Sequence, residues 1–251
     1  MKKLLLFAGT TEGRELLGWL DGKAEVTACV ATEYGKEALP NLPGSEILKG
    51  RLDACGMERL LSGQVFCCVV DATHPYAVQV SQNIRAACRN TGVPCLRLLR
   101  AESGLEMPAG AVVCRSAEEA AAYTASKLGN VLLATGSKEL GAFMRIASLR
   151  DRIFVRILPF PDALESCLEM GVPAGRICAM QGPFSREMNA ALLRQWNIDL
   201  MVTKDSGKAG GYREKLLAAE EAGVQVVVIN RPKEEGYSME ELKRILQEKY
   251  L

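Results

Sequence analysis

The single histidine of the chain, His74, follows an apolar segment that is typical of a buried strand. An imidazole gains or loses a proton near neutral pH, so a histidine at the end of a strand is a candidate general acid or base. Thr73 and Pro75 flank it and are typical of a helix start, where Thr73 or His74 would be the N-cap. Histidine is a poor N-cap, and we therefore expect His74 to belong to a site.

A turn of small and polar residues lies between the first apolar segment and the amphipathic stretch that follows it. Small residues let a ligand approach the backbone, and the free N–H groups at a helix N-terminus suit a pyrophosphate. Thr11 as a plain N-cap explains the same turn, and the match to the G-x-G-x-x-G motif is incomplete. The position after the first strand favours a nucleotide site formed by Gly9, Thr10, Thr11, Glu12, Gly13 and Arg14.

Glu33 lies at the end of the second apolar segment. In dinucleotide-binding folds, an acidic residue about 20 positions after the glycine turn accepts hydrogen bonds from the ribose hydroxyls. A carboxylate there would repel a 2′-phosphate and favour NADH over NADPH, whereas the nearby Lys36 argues for the opposite. An exposed loop glutamate without a ligand is the alternative.

Lys204 and Asp205 belong to a segment, 203–211, that is rich in glycine, hydroxyl groups and lysine. Such a segment between a strand and a helix can surround an anion with backbone N–H groups, although a flexible loop has the same composition. It lacks the Gly-Lys-Ser/Thr order of a P-loop. Two shorter turns, 136–138 and 181–185, also place a hydroxyl at a helix start, where simple capping is the alternative.

Short apolar segments alternate with amphipathic ones along the chain. Segments that are apolar on both faces and separated by helices predict parallel sheets covered on both sides. The predicted strands are 4–8, 25–31, 46–49, 65–71, 94–99, 130–135, 153–157, 177–180, 198–203 and 224–229. The predicted helices are 12–20, 57–62, 76–89, 117–127, 138–145, 162–170, 186–196, 212–222 and 239–249.

The less regular stretch 100–110 interrupts this alternation and predicts a domain boundary. We therefore predict an α/β protein with two Rossmann-like parallel-sheet domains facing a central cleft, one at 1–99 and one at 100–251. In open α/β sheets, ligands bind outside the carboxyl ends of the strands, where all the turns described above are expected.

The composition excludes several classes of protein. The 251 residues include 31 Lys+Arg and 30 Asp+Glu, and a net charge of +1 argues against a general binder of nucleic acid or anionic membranes. Nine cysteines without a C-x-x-C pair fit neither a disulfide framework nor a zinc ribbon, and one histidine excludes a multi-His metal site. The apolar run at the start is too short for a signal peptide or a membrane span. We expect a reduced, cytoplasmic protein that holds no metal.

Taken together, the turns resemble the precorrin-6A reductase family of cobalamin biosynthesis. The resemblance rests on an ordered set of motifs that spans nearly the whole chain: 9–14, 71–77 with Ser81 and Asn83, 135–138, 181–185, 203–207 with Gly210 and Gly211, and Arg231 with Pro232. It implies that the protein reduces one double bond of a ring-contracted tetrapyrrole with NADH or NADPH. The segment 31–35 is similar to the oxygen-independent branch, which acts on cobalt-precorrin-6A and whose cobalt arrives bound to the substrate.

The resemblance and the turns together suggest a role for each candidate residue. Cofactor contacts are expected at the turn 9–14, Glu33 and Thr73, in the N-terminal domain. A proton could come from His74, Asp205 or an ordered water. Substrate contacts are expected at Ser137, Lys138, Gln181, Ser185, Lys204, Ser206 and Gly207. Other enzymes of the corrin pathway would be transient partners.

Three alternatives remain open on the sequence alone. One is a reductase of another polyanionic small molecule. Another is an NAD(P)-binding sensor that binds the nucleotide without consuming it. The third is a two-domain tetrapyrrole synthase that needs no cofactor, against which the turn after the first strand counts mildly.

Overall fold

A computed structural model of the chain describes residues 1–100, 107–108, 110–205, 210–230 and 234–251. The chain divides into two compact units. The first comprises residues 1–101 together with 232–251, and the second comprises residues 102–231.

In the first unit, five described strands form a parallel sheet with the order β3-β2-β1-β4-β5. The strands are β1 (Lys3–Phe7), β2 (Glu25–Val30), β3 (Ser45–Lys49), β4 (Cys68–Asp71) and β5 (Cys95–Arg97). The helices are α1 (Thr11–Leu20), α2 (Glu33–Glu37), α3 (Ala54–Gly63), α4 (Val78–Thr91) and, from the C-terminal end of the chain, α11 (Met239–Lys249).

Alternation along β1 explains why this sheet is covered on both faces. Successive side chains of a strand point to opposite faces. Leu4 and Leu6 pack in a core cluster with α1 and α11, whereas Leu5 and Phe7 pack in another with α3 and α4. All four side chains are buried, which makes β1 the centre of the first unit.

The C-terminal helix α11 belongs to the first unit, whereas the sequence placed the whole of 100–251 in a second domain. Leu242 and Leu246 are fully buried in the core cluster that contains Leu16 and Leu17 of α1. The segment before α11 also pairs with the edge of the sheet, where the Tyr237 N–H donates to Arg97 O at 2.8 Å. The apolar face of α11 therefore finds its partner in an element more than two hundred residues earlier in the chain.

In the second unit, six described strands form a parallel sheet with the order β6-β11-β10-β7-β8-β9. The strands are β6 (Val112–Cys114), β7 (Asn130–Leu133), β8 (Ile153–Ile157), β9 (Ile177–Ala179), β10 (Ile198–Lys204) and β11 (Gln225–Ile229). The helices are α5 (Ala117–Ala125), α6 (Leu140–Met144), α7 (Ala147–Arg150), α8 (Pro161–Glu169), α9 (Arg186–Gln195) and α10 (Tyr212–Ala222).

The predicted α/β class with two parallel sheets is confirmed. The structure adds four short elements to those predicted, namely α2, β6, α7 and a 3₁₀ helix at Ala174–Arg176. One helix start differs, since α4 begins at Val78 after a turn at Pro75 and Tyr76. Its N-cap is Ala77, so the capping role considered for Thr73 or His74 is wrong.

Within the described residues, no helix combines the length and the apolar character that crossing a membrane requires. In the same residues, no group of three His, Cys, Asp or Glu side chains is arranged to hold a metal ion.

Helix α1 packs unusually close to the end of β1 because of one glycine. A Cβ atom built at Gly13 would lie 2.9 Å from the Cα of Ala8 and 3.3 Å from the Cβ of Ala72. Gly18, on the same helix, has nothing within 4 Å of such an atom. A side chain at position 13 would therefore push the helix away from the strand, whereas one at position 18 would not.

We predict that Gly13→Ala and Gly18→Ala change stability in opposite directions. Overpacking against the backbone of β1 should lower the free energy of unfolding by about 1–3 kcal/mol in Gly13→Ala. Gly18→Ala should raise it by up to about 1 kcal/mol, because alanine loses less backbone entropy in a helix. Urea denaturation followed by circular dichroism measures both, and equal effects in the two variants would contradict this packing.

Candidate active site

In the sheet of the first unit, the strand order reverses between β1 and β4, since β2 and β3 lie on one side of β1 and β4 and β5 on the other. The turns after β1 and β4 contact each other. The Thr10 hydroxyl donates to the carbonyl oxygen of Ala72 at 2.9 Å. It also accepts from the Gly13 N–H at 3.1 Å, which makes Thr10, and not Thr11, the N-cap of α1. A Cβ at Gly9 would lie 3.8 Å from the Cα of Thr73. Ligands of open α/β sheets bind at such a switch point.

A buried ion pair fixes the turn after β4. Asp71 and Arg97 are 1% and 5% exposed, and Arg97 Nη1 lies 2.8 Å from Asp71 Oδ1. The same nitrogen donates to the carbonyl oxygen of Thr73 at 3.0 Å. Thr73 in turn donates its N–H and its hydroxyl to Asp71 Oδ1 and contacts the hydroxyl of Ser81. The Thr73 side chain is therefore used in holding the turn rather than in capping α4.

His74 follows this network and is half-buried. Its Nδ1 accepts from the Tyr76 N–H at 3.3 Å, and the two rings stack with their centroids 5.6 Å apart. A neutral imidazole that accepts at Nδ1 carries its proton on Nε2. The turn thus fixes the tautomer in which Nε2 is the hydrogen-bond donor.

The acidic residue in the turn after β1 is neutralised by an arginine that the sequence did not single out. Glu12 pairs with Arg100 at 2.8 Å, and Arg14 donates to the Thr11 hydroxyl at 2.8 Å. Burial would raise the pKa of Glu12, but the hydrogen bond from Arg100 and other polar contacts outweigh burial and lower it. The turn therefore presents a compensated carboxylate, which reduces its repulsion of an incoming phosphate.

Glu33 begins α2, three residues after the end of β2, and is exposed. Its carboxylate pairs with Lys49, the last residue of β3. The hydrogen bond from Lys49 lowers the pKa of Glu33, so the carboxylate is ionised at neutral pH. The structure thus places Glu33 at the carboxyl end of the strand next to β1, with a lysine beside it.

At the carboxyl edge of the second sheet, Lys204 at the end of β10 pairs with Glu139, which follows β7. Ser137 is half-buried and Lys138 is exposed in the same turn. Glu139 is the N-cap of α6, so the capping alternative is wrong for Ser137. In the described part of the chain, Glu139 Oε2 and the Thr135 hydroxyl are buried polar atoms without a hydrogen-bond partner.

The turn 181–185 carries two further candidates. Ser185 accepts from the Met188 N–H at 3.2 Å and caps α9, so the capping alternative holds for this residue, and Gln181 is exposed. Asp205 directly follows β10 and is half-buried. Ser206 and Gly207 lie outside the described residues.

Four basic residues in or next to the proposed sites were missed by the analysis of the sequence. They are Arg97, Arg100, Arg156 and Lys215. Arg97 and Arg156 did leave a signal, because each is a charged residue inside an otherwise apolar strand. Lys215 left none, since a lysine within a helix is usually on its solvated face.

Comparison with known proteins identifies relatives along nearly the whole chain. A family model described as precorrin-6x reductase CbiJ/CobK matches residues 3–248. A cobalt-precorrin-6A reductase of Methanothermobacter thermautotrophicus is 38% identical over 235 residues, which are 91% of this chain and 76% of that protein. A cobalt-precorrin-6A reductase of Priestia megaterium is 37% identical over 233 residues, which are 92% of this chain and 91% of that protein.

A solved structure agrees with these relatives. CobK precorrin-6A reductase matches with a TM-score of 0.74 and 29% sequence identity, over 100% of this chain and 98% of that chain. The motifs that carried the resemblance therefore lie in a chain whose fold and sequence both match along their length. The protein belongs to the precorrin-6x reductase family.

Proposed function

We propose that this protein uses a nicotinamide cofactor to reduce one double bond of a precorrin-6A-type macrocycle, converting cobalt-precorrin-6A to cobalt-precorrin-6B in cobalamin biosynthesis. The observation that carries the proposal is the match to a reductase family over residues 3–248. The choice of the cobalt form is supported by the relatives from Methanothermobacter and Priestia, which are named cobalt-precorrin-6A reductases. The cobalt would enter as part of the substrate.

The turn after β1 fits a dinucleotide. The missing side chain at Gly13 lets α1 start against β1, so the N–H groups of its first turn lie at the switch point of the sheet. Arg100 compensates Glu12, and Arg14 lies on the same turn. We place the cofactor pyrophosphate at 9–14, with Thr73 beside it. When bound, the cofactor supplies the hydride.

A proton must also reach the macrocycle, at the carbon next to the one that is reduced. His74 is our first candidate, because its Nδ1 is engaged with Tyr76 and its Nε2 carries the proton. Asp205 is the second candidate, and its half-buried position after β10 allows a role as an acid or as a partner of an ordered water.

The acetate and propionate groups of the macrocycle require positive charge and polar donors. We assign these contacts to the turn that holds Ser137 and Lys138, to Gln181 and to Lys204. Ser185 caps α9, so it would contribute by fixing the end of the loop 181–185. Ser206 and Gly207 complete the assignment and stay predictions from the sequence.

The reaction can be tested directly in anaerobic solution. The purified protein should oxidise NADH in the presence of cobalt-precorrin-6A and leave it unchanged when the macrocycle is omitted. Absorbance at the nicotinamide band measures the rate, with the metal-free macrocycle and NADPH as parallel arms. Binding of the nucleotide without oxidation in any arm would instead support a sensor.

We propose that NADH is preferred because Glu33 is ionised and occupies Lys49. Glu33→Gln removes the carboxylate and releases Lys49, so it should shift the ratio of kcat/KM values towards NADPH by about tenfold, as expected for a change of about 1.4 kcal/mol. Steady-state kinetics with both cofactors measure the shift.

Glu37→Gln is the matched control, because Glu37 is also an exposed glutamate of α2 but lies at its other end. It should leave the ratio unchanged. A wild-type enzyme that prefers NADPH, or equal ratios in the two variants, would show that Glu33 does not select the cofactor.

His74→Asn separates proton transfer from turn formation. Asparagine can keep a hydrogen-bonding atom near the position of Nδ1 but has no counterpart of Nε2. We expect kcat to fall by roughly 10²–10⁴-fold while the melting temperature stays near the wild-type value. A normal kcat with a lower melting temperature would show that His74 has only a structural role. The proton donor would then be Asp205 or an ordered water.

A further inference from the structure

Two cationic side chains that the proposed reaction does not yet use are buried in the second unit. Arg156, near the end of β8, and Lys215, on α10, are each 7% exposed. Burial of a charge costs free energy unless an anion or several hydrogen bonds compensate it. The compensation of Arg156 therefore requires an explanation.

Arg156 has an amide rather than a carboxylate as its partner. Its Nη1 donates to Asn189 Oδ1 at 2.7 Å, and its guanidinium carbon lies 4.3 Å from the centre of the Phe184 ring. Within the described ranges, no carboxylate pairs with it, and burial lowers its pKa to about 10, which leaves it charged at neutral pH.

The positive charge of Arg156 affects the pKa of Lys215. Burial is the main cause that lowers the pKa of Lys215 to about 7, and the positive charge of Arg156 lowers it further. Asp205 and Glu214 act in the opposite direction but do not offset both effects. The charge of Arg156 is therefore one of the charges that act on Lys215.

Both cations adjoin the loop 181–185 at the carboxyl edge of the sheet. Asn189 accepts from Arg156 and donates its Nδ2 to the carbonyl oxygen of Ser185 at 2.8 Å, which ties the loop to the strand. Gly211, directly before α10, packs against the same loop. A Cβ atom built at Gly211 would lie 3.4 Å from the Cβ of Pro183. The Lys215 N–H donates to the carbonyl oxygen of Gly211 at 3.3 Å, so Lys215 lies one helical turn after the residue that packs against this loop. Strand and helix thus bring one cation each towards the same loop.

We propose that Arg156 and Lys215 form an anion site that binds one acetate or propionate carboxylate of the tetrapyrrole. A guanidinium can donate two parallel hydrogen bonds to a carboxylate, and an ammonium can donate another. Asn189 acts as a positioning residue for Arg156. The assignment to a substrate carboxylate rests on the proposed function, whereas the anion site itself can be tested without turnover.

The test uses Arg156→Gln and Lys215→Met in the full-length protein. Binding of uroporphyrin I, a tetrapyrrole with acetate and propionate groups, is measured by fluorescence quenching, and KM values are measured for cobalt-precorrin-6A and NADH. Each variant should weaken binding of both tetrapyrroles by roughly tenfold to hundredfold, as expected for the loss of a charged hydrogen bond. The KM for NADH should not change.

Two matched controls come from the opposite edge of the same sheet. Arg176→Gln removes a guanidinium that also lies over a phenylalanine ring, since its carbon is 5.3 Å from the centre of the Phe154 ring. Arg176 lies directly before β9. Lys127→Met removes an exposed lysine shortly before β7. Both should bind the two tetrapyrroles as the wild type does.

The melting temperature of Arg156→Gln separates a binding role from a structural one. If the site awaits an anion, removing a buried guanidinium that no described carboxylate compensates should leave the melting temperature unchanged or raise it. A lower melting temperature with unchanged binding overturns the proposal, as does a rise confined to the KM for NADH.

The outcomes also separate this proposal from the proposed function. If the wild type turns over cobalt-precorrin-6A but the variants bind both tetrapyrroles as the wild type does, the anion site alone is overturned. If the wild type does not turn over cobalt-precorrin-6A, the proposed function is overturned. Binding of uroporphyrin I to the wild type and the variants then tests the anion site on its own. Absence of uroporphyrin I binding to such a wild type overturns the site as well.

Discussion

The first unit depends on the buried ion pair between Asp71 and Arg97. Both side chains are almost fully enclosed, so neither charge can turn to solvent, and each fixes the position of the other. Arg97 extends this constraint to the carbonyl oxygen of Thr73 through Nη1 and to Glu234 through Nη2 at 2.9 Å. The turn that carries His74 is therefore held at once from β5 and from the C-terminal segment.

This arrangement explains why the C-terminal segment returns to the first unit. Glu234 adds a second carboxylate to Arg97, Tyr237 pairs with the edge of the sheet, and α11 buries its apolar face against α1. Residues at the end of the chain thus complete the surroundings of a turn formed near its beginning. The sequence predicts α11 itself at 239–249, as observed, but its apolar face does not indicate which sheet it will cover.

What the sequence predicts well is set by local side-chain patterns, and what it misses is set by contacts over long distances. The apolar run of β8 predicts Ile153–Ile157 without error, because burial on both faces leaves a continuous signal. The start of α4 is predicted too early, because the Thr73 hydroxyl serves Asp71 and Ser81 instead of a helix cap. The partner of Arg100 lies 88 residues away, and no local pattern specifies such a pairing.

The two buried arginines show how charge compensation distinguishes a structural group from a binding group. Arg97 and Arg156 occupy similar positions near the ends of apolar strands, yet the first has two carboxylates and the second has one neutral amide. Lys204 and Arg100 are also compensated, by Glu139 and Glu12. A chain with a net charge of +1 has little positive charge to spare, so buried positive charge that no carboxylate compensates is the most available to an anionic substrate. Of the buried arginines in the described residues, Arg156 is the one that meets this condition.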